Sequence, residues 1–215
     1  MCTYYPKSKV EIKGFTAKNY DWLINIMSFG RYPSVIYKAI QLMNIKPTDK
    51  ILDLGAGTGR NDCLMAKYLS KKGEIIGLDI YQEMSAQFQK NCIKYSNVKI
   101  INKRIDKPLN YKNHFDKVFI SFVIHGFPQK IREQIIKNAF ESLKKGGKFF
   151  ILDFNKFSLK KMPFYFKIPF KIIECPYAFD FIKRNFKKDL SLKGFNKFKT
   201  NTFFKGYIRL IEAKK

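Results

Sequence analysis

The run KILDLGAGTG at residues 50–59 feeds a β-rich segment straight into a loop with glycine at every second position. Glycine carries no Cβ, so such a loop can turn sharply and bring its backbone close to a bound group. A strand that enters a glycine loop and then a helix is half of a βαβ unit, which commits the chain to parallel strands. The remaining sequence keeps that rhythm. Residues 73–80 (GEIIGLDI), 97–105 (NVKIINKRI), 115–124 (FDKVFISFVI) and 148–154 (KFFILDF) read as further short strands with helical stretches between them. The clearest helix is expected from Pro128 to Lys145. Ile131, Ile135, Ile136, Ala139, Phe140 and Leu143 share one face, proline suits the first turn, and Gly146-Gly147 suits the stop. One further helix is expected over about residues 177–190, and then two strands, 196–204 and 206–214, meet at Lys205-Gly206 as an antiparallel hairpin at the sheet edge. The expected fold is α/β, a doubly wound, mostly parallel seven-stranded sheet in a single domain over residues 1–215. Residues 1–45 form an N-terminal helical cover in this reading, and residues 155–176 a basic aromatic lid.

Two acids flank the glycine loop. Asp53 leads it, where a carboxylate can accept a hydrogen bond from an ammonium group. Asp79 ends the next strand about 20 residues further on, where folds of this class grip ribose hydroxyls. The loop reads G-x-G-x-G rather than the G-x-G-x-x-G of dinucleotide enzymes, so a cationic adenosyl ligand fits it better than a pyrophosphate.

With these residues the chain resembles a class I S-adenosylmethionine-dependent methyltransferase. The resemblance implies S-adenosyl-L-methionine as cofactor, with Asp53, Gly55, Ala56, Gly57 and Thr58 around its methionyl part, Asp79 on the ribose and Ile80 against adenine. Within that class the chain is most similar to the ubiquinone/menaquinone C-methyltransferases. NYDWLINIMSFG (19–30) resembles that family's entry helix, and ISFVIHGF (120–127) its Ser-Phe-Gly-Leu-Arg-Asn stretch. LKKGGKFFILDFNK (143–156) resembles its Leu-Lys-Pro-Gly-Gly segment, and the C-terminal GF and FFKGYIRLIEAKK its last helix and strands. The likeness runs from Phe15 to Lys214. The family's Asn-Ala or Asp-Ala pair beside adenine falls at Arg104-Ile105, and Ser121 joins the implied cofactor set. The implied reaction is C-methylation of a prenylated quinol such as a demethylmenaquinol-type lipid. Where the family has Gly-Leu-Arg-Asn this chain has Val123-Ile124-His125-Gly126, which opens the identity of the acceptor.

A hydroquinone carbon becomes nucleophilic once its phenol ionises, so a base with a pKa near neutrality would help. His125, just past the carboxyl end of the fourth strand, lies where open α/β sheets place ligands and is the catalytic candidate. Tyr20, Phe122, Phe164 and Phe166 are the substrate candidates, with Asp21 beside the first of them.

A net charge of +25 attracts polyanions, whether anionic lipid headgroups or nucleic acid, although the Lys, Asn, Ile, Phe and Tyr bias is also what an AT-rich genome yields. The segment KKMPFYFKIPFK (160–171) sets lysines among phenylalanines. Pro163 and Pro169 speak for a short helical turn or an extended lid there, with aromatics entering a headgroup–acyl boundary and lysines holding anionic headgroups. The alternative acceptors are a phospholipid headgroup, a small soluble metabolite or RNA. Against RNA, no nucleic-acid module is appended, and Ser121–Ile124 lacks the Asn/Asp-Pro-Pro-aromatic motif of base-amino methyltransferases. Four scattered cysteines without a C-x-x-C pair and two histidines predict neither a metal site nor a disulfide framework. The longest apolar run, 118–124, falls far short of the ~20 residues of a membrane span, and the N-terminus lacks a secretory core. A cytoplasmic protein is expected, with peripheral contact at the inner membrane face.

Overall fold

In the computed structural model, which describes residues 5, 7, 8 and 30–215, the strands are β1 (Lys50–Leu54), β2 (Glu74–Asp79), β3 (Val98–Asn102), β4 (Phe115–Ser121), β5 (Leu143–Phe154), β6 (Asn196–Phe203) and β7 (Ile208–Lys214). They form one seven-stranded sheet in the order β3-β2-β1-β4-β5-β7-β6. Strands β1 to β5 run parallel, while β7 lies antiparallel between β5 and β6. The helices are α1 (Tyr32–Leu42), α2 (Arg60–Ala66), α3 (Gln82–Cys92), α4 (Gln129–Ser142), α5 (Phe164–Ile173), α6 (Pro176–Phe181) and α7 (Phe186–Ser191).

Period-two alternation in the central strands serves two cores at once. Ile51, Phe119, Phe150, Leu152 and Leu210 point to one face, where they meet Val35, Ile36, Ala39 and Ile40 of α1. Leu52, Leu54, Val118, Ile120, Phe149, Ile151 and Ile211 point to the other, where they meet Ile135, Ile136 and Ala139 of α4 and Phe181 and Phe186. A strand buried on both faces must be apolar throughout, which is why these runs read as near-continuous hydrophobic stretches. Each fully buried phenylalanine contributes about 1.5–3 kcal/mol relative to an exposed one.

Several sequence expectations are corrected. The helix expected to run to Lys145 stops at Ser142, because Leu143 already pairs with Phe115 and begins β5. Gly146 and Gly147 therefore lie inside the strand, at an irregularity in its register, with Gly146 at φ +81°. The single helix expected over residues 177–190 is two, α6 and α7. Phe181 and Phe186 both pack into one core, yet five residues of straight helix would set them about 140° apart, so the chain breaks between them. The segment around Pro169 is a continuous helix rather than a turn. Pro163 is its N-cap, and Pro169 forfeits only the bond to the Tyr165 carbonyl, on an exposed face where water can replace it. Cysteine spacing spoke against disulfides, yet Cys63 on α2 and Cys92 on α3 are paired, with Cα atoms 5.6 Å apart. Two neighbouring helices bring together what 29 residues of sequence separate. The C-terminal hairpin forms as expected, with β6 on the edge. Tyr20, Asp21 and most of the N-terminal cover lie outside the described residues.

Candidate active site

Strand order reverses between β1 and β4, and the carboxyl ends of β1, β2, β4 and β5 all open to the same edge of the sheet. That edge is where open α/β sheets hold ligands. The glycine loop is clamped there by its own backbone: the N–H groups of Gly55 and Ala56 donate to the Leu78 carbonyl at 2.9 and 3.0 Å. Gly55 sits at φ +84°, and a Cβ on it would lie 2.8 Å from the Val123 side chain. Gly77 on β2 completes the fit, because a Cβ there would come within 2.7 Å of Ala56 Cβ. Sequence reading passed over Gly77, a glycine inside a strand being the available signal.

Asp79 ends β2 against this loop. Its carboxylate accepts hydrogen bonds from the N–H groups of Gly57 (3.0 Å), Ile80 (2.8 Å) and Tyr81 (3.1 Å). Burial pushes its pKa up while those three donors pull it down, the balance lying above the ordinary value. Ile80 packs with Tyr81 and Met84 in a small apolar cluster beside it. Thr58 is buried, and its carbonyl accepts a bond from Asn91 at 2.9 Å. In front of Gly57 there is open space.

Behind the loop stand two carboxyl groups, Asp53 on β1 and Asp62 on α2, both fully buried and with no hydrogen-bond donor among the described residues. Burial first, and then the charge of Asp62, holds Asp53 well above the usual carboxylate range, and burial pushes Asp62 to about 7. The two face each other, so near neutrality they share protons rather than both ionising. Ser121 at the end of β4 also has a buried hydroxyl without a partner among the described residues.

Arg104 is held in a two-point ion pair, Nε to Asp106 Oδ1 at 3.0 Å and Nη2 to Oδ2 at 2.6 Å, and the Tyr5 hydroxyl donates to the same carboxylate. Ile105 is in the core, and its carbonyl is fixed by Asn138 at 2.7 Å. These two candidates thus lie one strand away from the glycine loop, at the end of β3, with their side chains already engaged.

Phe122, whose neighbour Val123 meets Gly55, also walls an apolar cavity of about 210 Å³ with Phe154, Phe166, Phe170 and Ile173, and Glu174 is the one carboxylate there among the described residues. Phe122 adopts φ +52°, a left-handed conformation that costs a non-glycine residue about 1–2 kcal/mol, and its ring packs on Tyr32 and Phe154. Phe166 lines the cavity, whereas Phe164 is 74% exposed on the outer face of α5.

His125 lies in a short 3-10 turn after β4 and is buried. Its Nδ1 is 2.8 Å from Asp153 Oδ1 and its Nε2 is 3.3 Å from Glu174 Oε2. Burial would lower its pKa, but the two carboxylates outweigh that and raise it to about 10. Arg132, also fully buried, donates to the carbonyls of His125 (3.0 Å) and Tyr177 (2.6 Å) and to Asp180 (2.8 Å). Asp62, Asp153, Glu174 and Arg132 were not singled out from sequence, since their partners are distant along the chain.

A model of the ubiE/COQ5 methyltransferase family matches residues 8–189. The chain is 34% identical over 164 residues to the ubiquinone/menaquinone biosynthesis C-methyltransferase UbiE of Wigglesworthia glossinidia brevipalpis, covering 72% of this chain and 64% of that one. To the demethylmenaquinone methyltransferase of Bacillus licheniformis it is 29% identical over 154 residues, covering 70% and 66%. The matched stretch thus spans slightly less than two thirds of either relative. Among solved structures, a SAM-dependent methyltransferase from Aquifex aeolicus superposes with a TM-score of 0.63 at 19% identity, over 83% of this chain and 88% of that one. Phosphoethanolamine N-methyltransferase 2 of Haemonchus contortus, solved with S-adenosyl-L-methionine, gives 0.63 at 18% identity, over 81% and 39%. These two likenesses establish the fold. Matched by the family model over most of its length, the chain belongs to the ubiE/COQ5 methyltransferase family.

Proposed function

We propose that this chain transfers a methyl group from S-adenosyl-L-methionine to a ring carbon of a lipid-linked hydroquinone. The carrying observation is a glycine cradle with acids on both flanks whose Gly55 meets Val123, the neighbour of Phe122 on the wall of an apolar, aromatic cavity under a lid helix. Residues of the cradle fit the cofactor. Asp53 offers a buried carboxyl paired only with Asp62 among the described residues, Ser121 offers a buried hydroxyl, and space is open before Gly57. Asp53 would accept a bond from the ammonium, Asp79 from the ribose, and Ile80 would pack on adenine, with Arg104 and Ile105 at the far edge. When bound, the cofactor supplies an electrophilic methyl group on a sulfonium.

The chain's own residues do the rest. Phe122, Phe154, Phe166 and Phe170 hold a flat ring and keep water away from it. A cavity of 210 Å³ suits the ring alone, which leaves an isoprenoid tail to run out past the lid. The phenolic proton leaves at the His125 end of the site. Outside, Phe164, Tyr165, Ile168 and Ile172 form an exposed apolar strip on α5, and Lys160, Lys161, Lys167 and Lys171 flank it with no acid between residues 154 and 173. That strip would seat α5 in an anionic bilayer holding the substrate. Among the described residues no helix is long and apolar enough to cross one.

Incubation with methyl-labelled cofactor should put the label into the quinol fraction of a lipid extract and not into RNA. Calorimetry should find cofactor binding in the wild type, weakened about 10- to 100-fold by Asp79→Ala through lost hydrogen bonds. Equal affinity in the two proteins would remove Asp79 from the site.

A further inference from the structure

We infer that Glu174, at the junction of α5 and α6, is the catalytic residue that takes the proton from the acceptor hydroxyl, with His125 and Asp153 aligned behind it as positioning residues. This rests on the methyl-transfer reading above and adds a residue to it. Among the described residues Glu174 is the only carboxylate on the cavity wall, and the other charged side chain there is Arg31. His125 does not reach that wall, since both ring nitrogens are taken, Nδ1 by Asp153 at 2.8 Å and Nε2 by Glu174 at 3.3 Å. Asp153 holds the histidine at two points, because the His125 backbone N–H also meets its Oδ2 at 3.3 Å. The ring can therefore not swing into the cavity without breaking this row.

Arg132 of α4 binds the His125 carbonyl and Asp180 of α6, and Arg209 of β7 lies near Asp153. Arg184 pairs with the same Asp180 at 2.8 Å, so among the described residues four cations (His125, Arg132, Arg184, Arg209) meet three anions (Asp153, Glu174, Asp180). With its pKa raised to about 10, His125 stays an imidazolium at neutral pH and has no lone pair to offer.

In the step itself, the hydroxyl proton moves to a Glu174 carboxylate oxygen and its bonding pair stays on the acceptor oxygen. That pair makes the neighbouring ring carbon nucleophilic. After this carbon has gained its methyl group, its own hydrogen leaves to water as a proton and its bonding pair restores the aromatic ring. Glu174 returns its proton to the oxygen, so the turnover releases one proton to solvent.

The test uses the full chain with anaerobic 1,4-naphthohydroquinone as the probe. Without cofactor, the enzyme in deuterated water should speed exchange of the ring C–H through the same ionisation, read by NMR. Glu174→Gln should slow both this exchange and kcat by about 100-fold, within the range for loss of a general base, while cofactor affinity and melting temperature hold. Glu174→Asp should recover part of both. Asp153→Asn should shift the pH profile of kcat without changing cofactor affinity. A Glu174→Gln enzyme with kcat and exchange close to wild type overturns the inference and leaves the methyl-transfer reading standing. A wild type that binds no cofactor and methylates nothing overturns both.

Discussion

Asp53 and Asp62 are two acids where the surroundings tolerate one charge at most. A carboxyl whose folded pKa is raised makes folding take up a proton, so stability falls as pH climbs from the ordinary 3.8 toward the 7 of Asp62. Asp62→Asn removes the Asp62 share of that slope and its repulsion of Asp53. The variant should therefore melt above wild type, by an amount on the order of 1–3 kcal/mol, with the advantage growing from pH 4 to pH 7 and level beyond. Differential scanning calorimetry at pH 4.5 and pH 8 checks this; a gap of the same size at both would show that the pair does not titrate as described. Asp53, Gly55 to Gly59 and Asp79 were legible in sequence because their demands are local: a strand end, a tight turn, a second strand end. Asp62 was not, because its meaning comes only from the strand it packs behind.

At the level of elements, α5 has two apolar faces. Phe166, Phe170 and Ile173 turn inward to the cavity while Phe164, Ile168 and Ile172, four residues apart, turn outward. A helix apolar all round normally lies buried, so the outward strip calls for a partner. Phe164→Ser combined with Ile168→Ser and Lys171→Glu should reduce co-sedimentation with anionic vesicles at least about ten-fold, and wild-type binding should weaken as salt rises. Negligible pelleting of both proteins would refute a bilayer partner. The composition of this segment was plain in the sequence, and its helicity was not, since Pro169 is tolerated only because the carbonyl it abandons faces water. The same limit explains Ser142. Glycines do mark stops, but Leu143 was claimed earlier by a neighbouring strand, and pairing between strands is invisible to periodicity.

Over the whole molecule, Arg132 is the tie between the β4 end and the lid side of the fold. It reaches the carbonyls of Ile124, His125 and Tyr177 and the carboxylate of Asp180. Arg132→Ala leaves the three carbonyls without their donor, while half-exposed Asp180 keeps Arg184, and should cost about 2–4 kcal/mol through the lost hydrogen bonds and packing of a fully buried side chain. Urea denaturation measures it, and a loss below about 1 kcal/mol would mean the network relaxes freely. The parallel, doubly wound class of the sheet and its antiparallel edge hairpin were legible from strand–helix alternation, whereas the strand order and the site's ionic row were not, the members of that row lying on the turn after β4, on β5 and on the lid. The placement of β7 carries a consequence for how the protein is made. It leaves the ribosome after the other six strands of the sheet, yet it lies inside, with β5 on one side and β6 on the other. Until it emerges from the exit tunnel, the nascent chain keeps the β5 edge bare, and β6 has nothing to lean on. A message cut short after residue 203 would therefore deprive the sheet of two strands, not one, and leave its newest hydrophobic border to the chaperones.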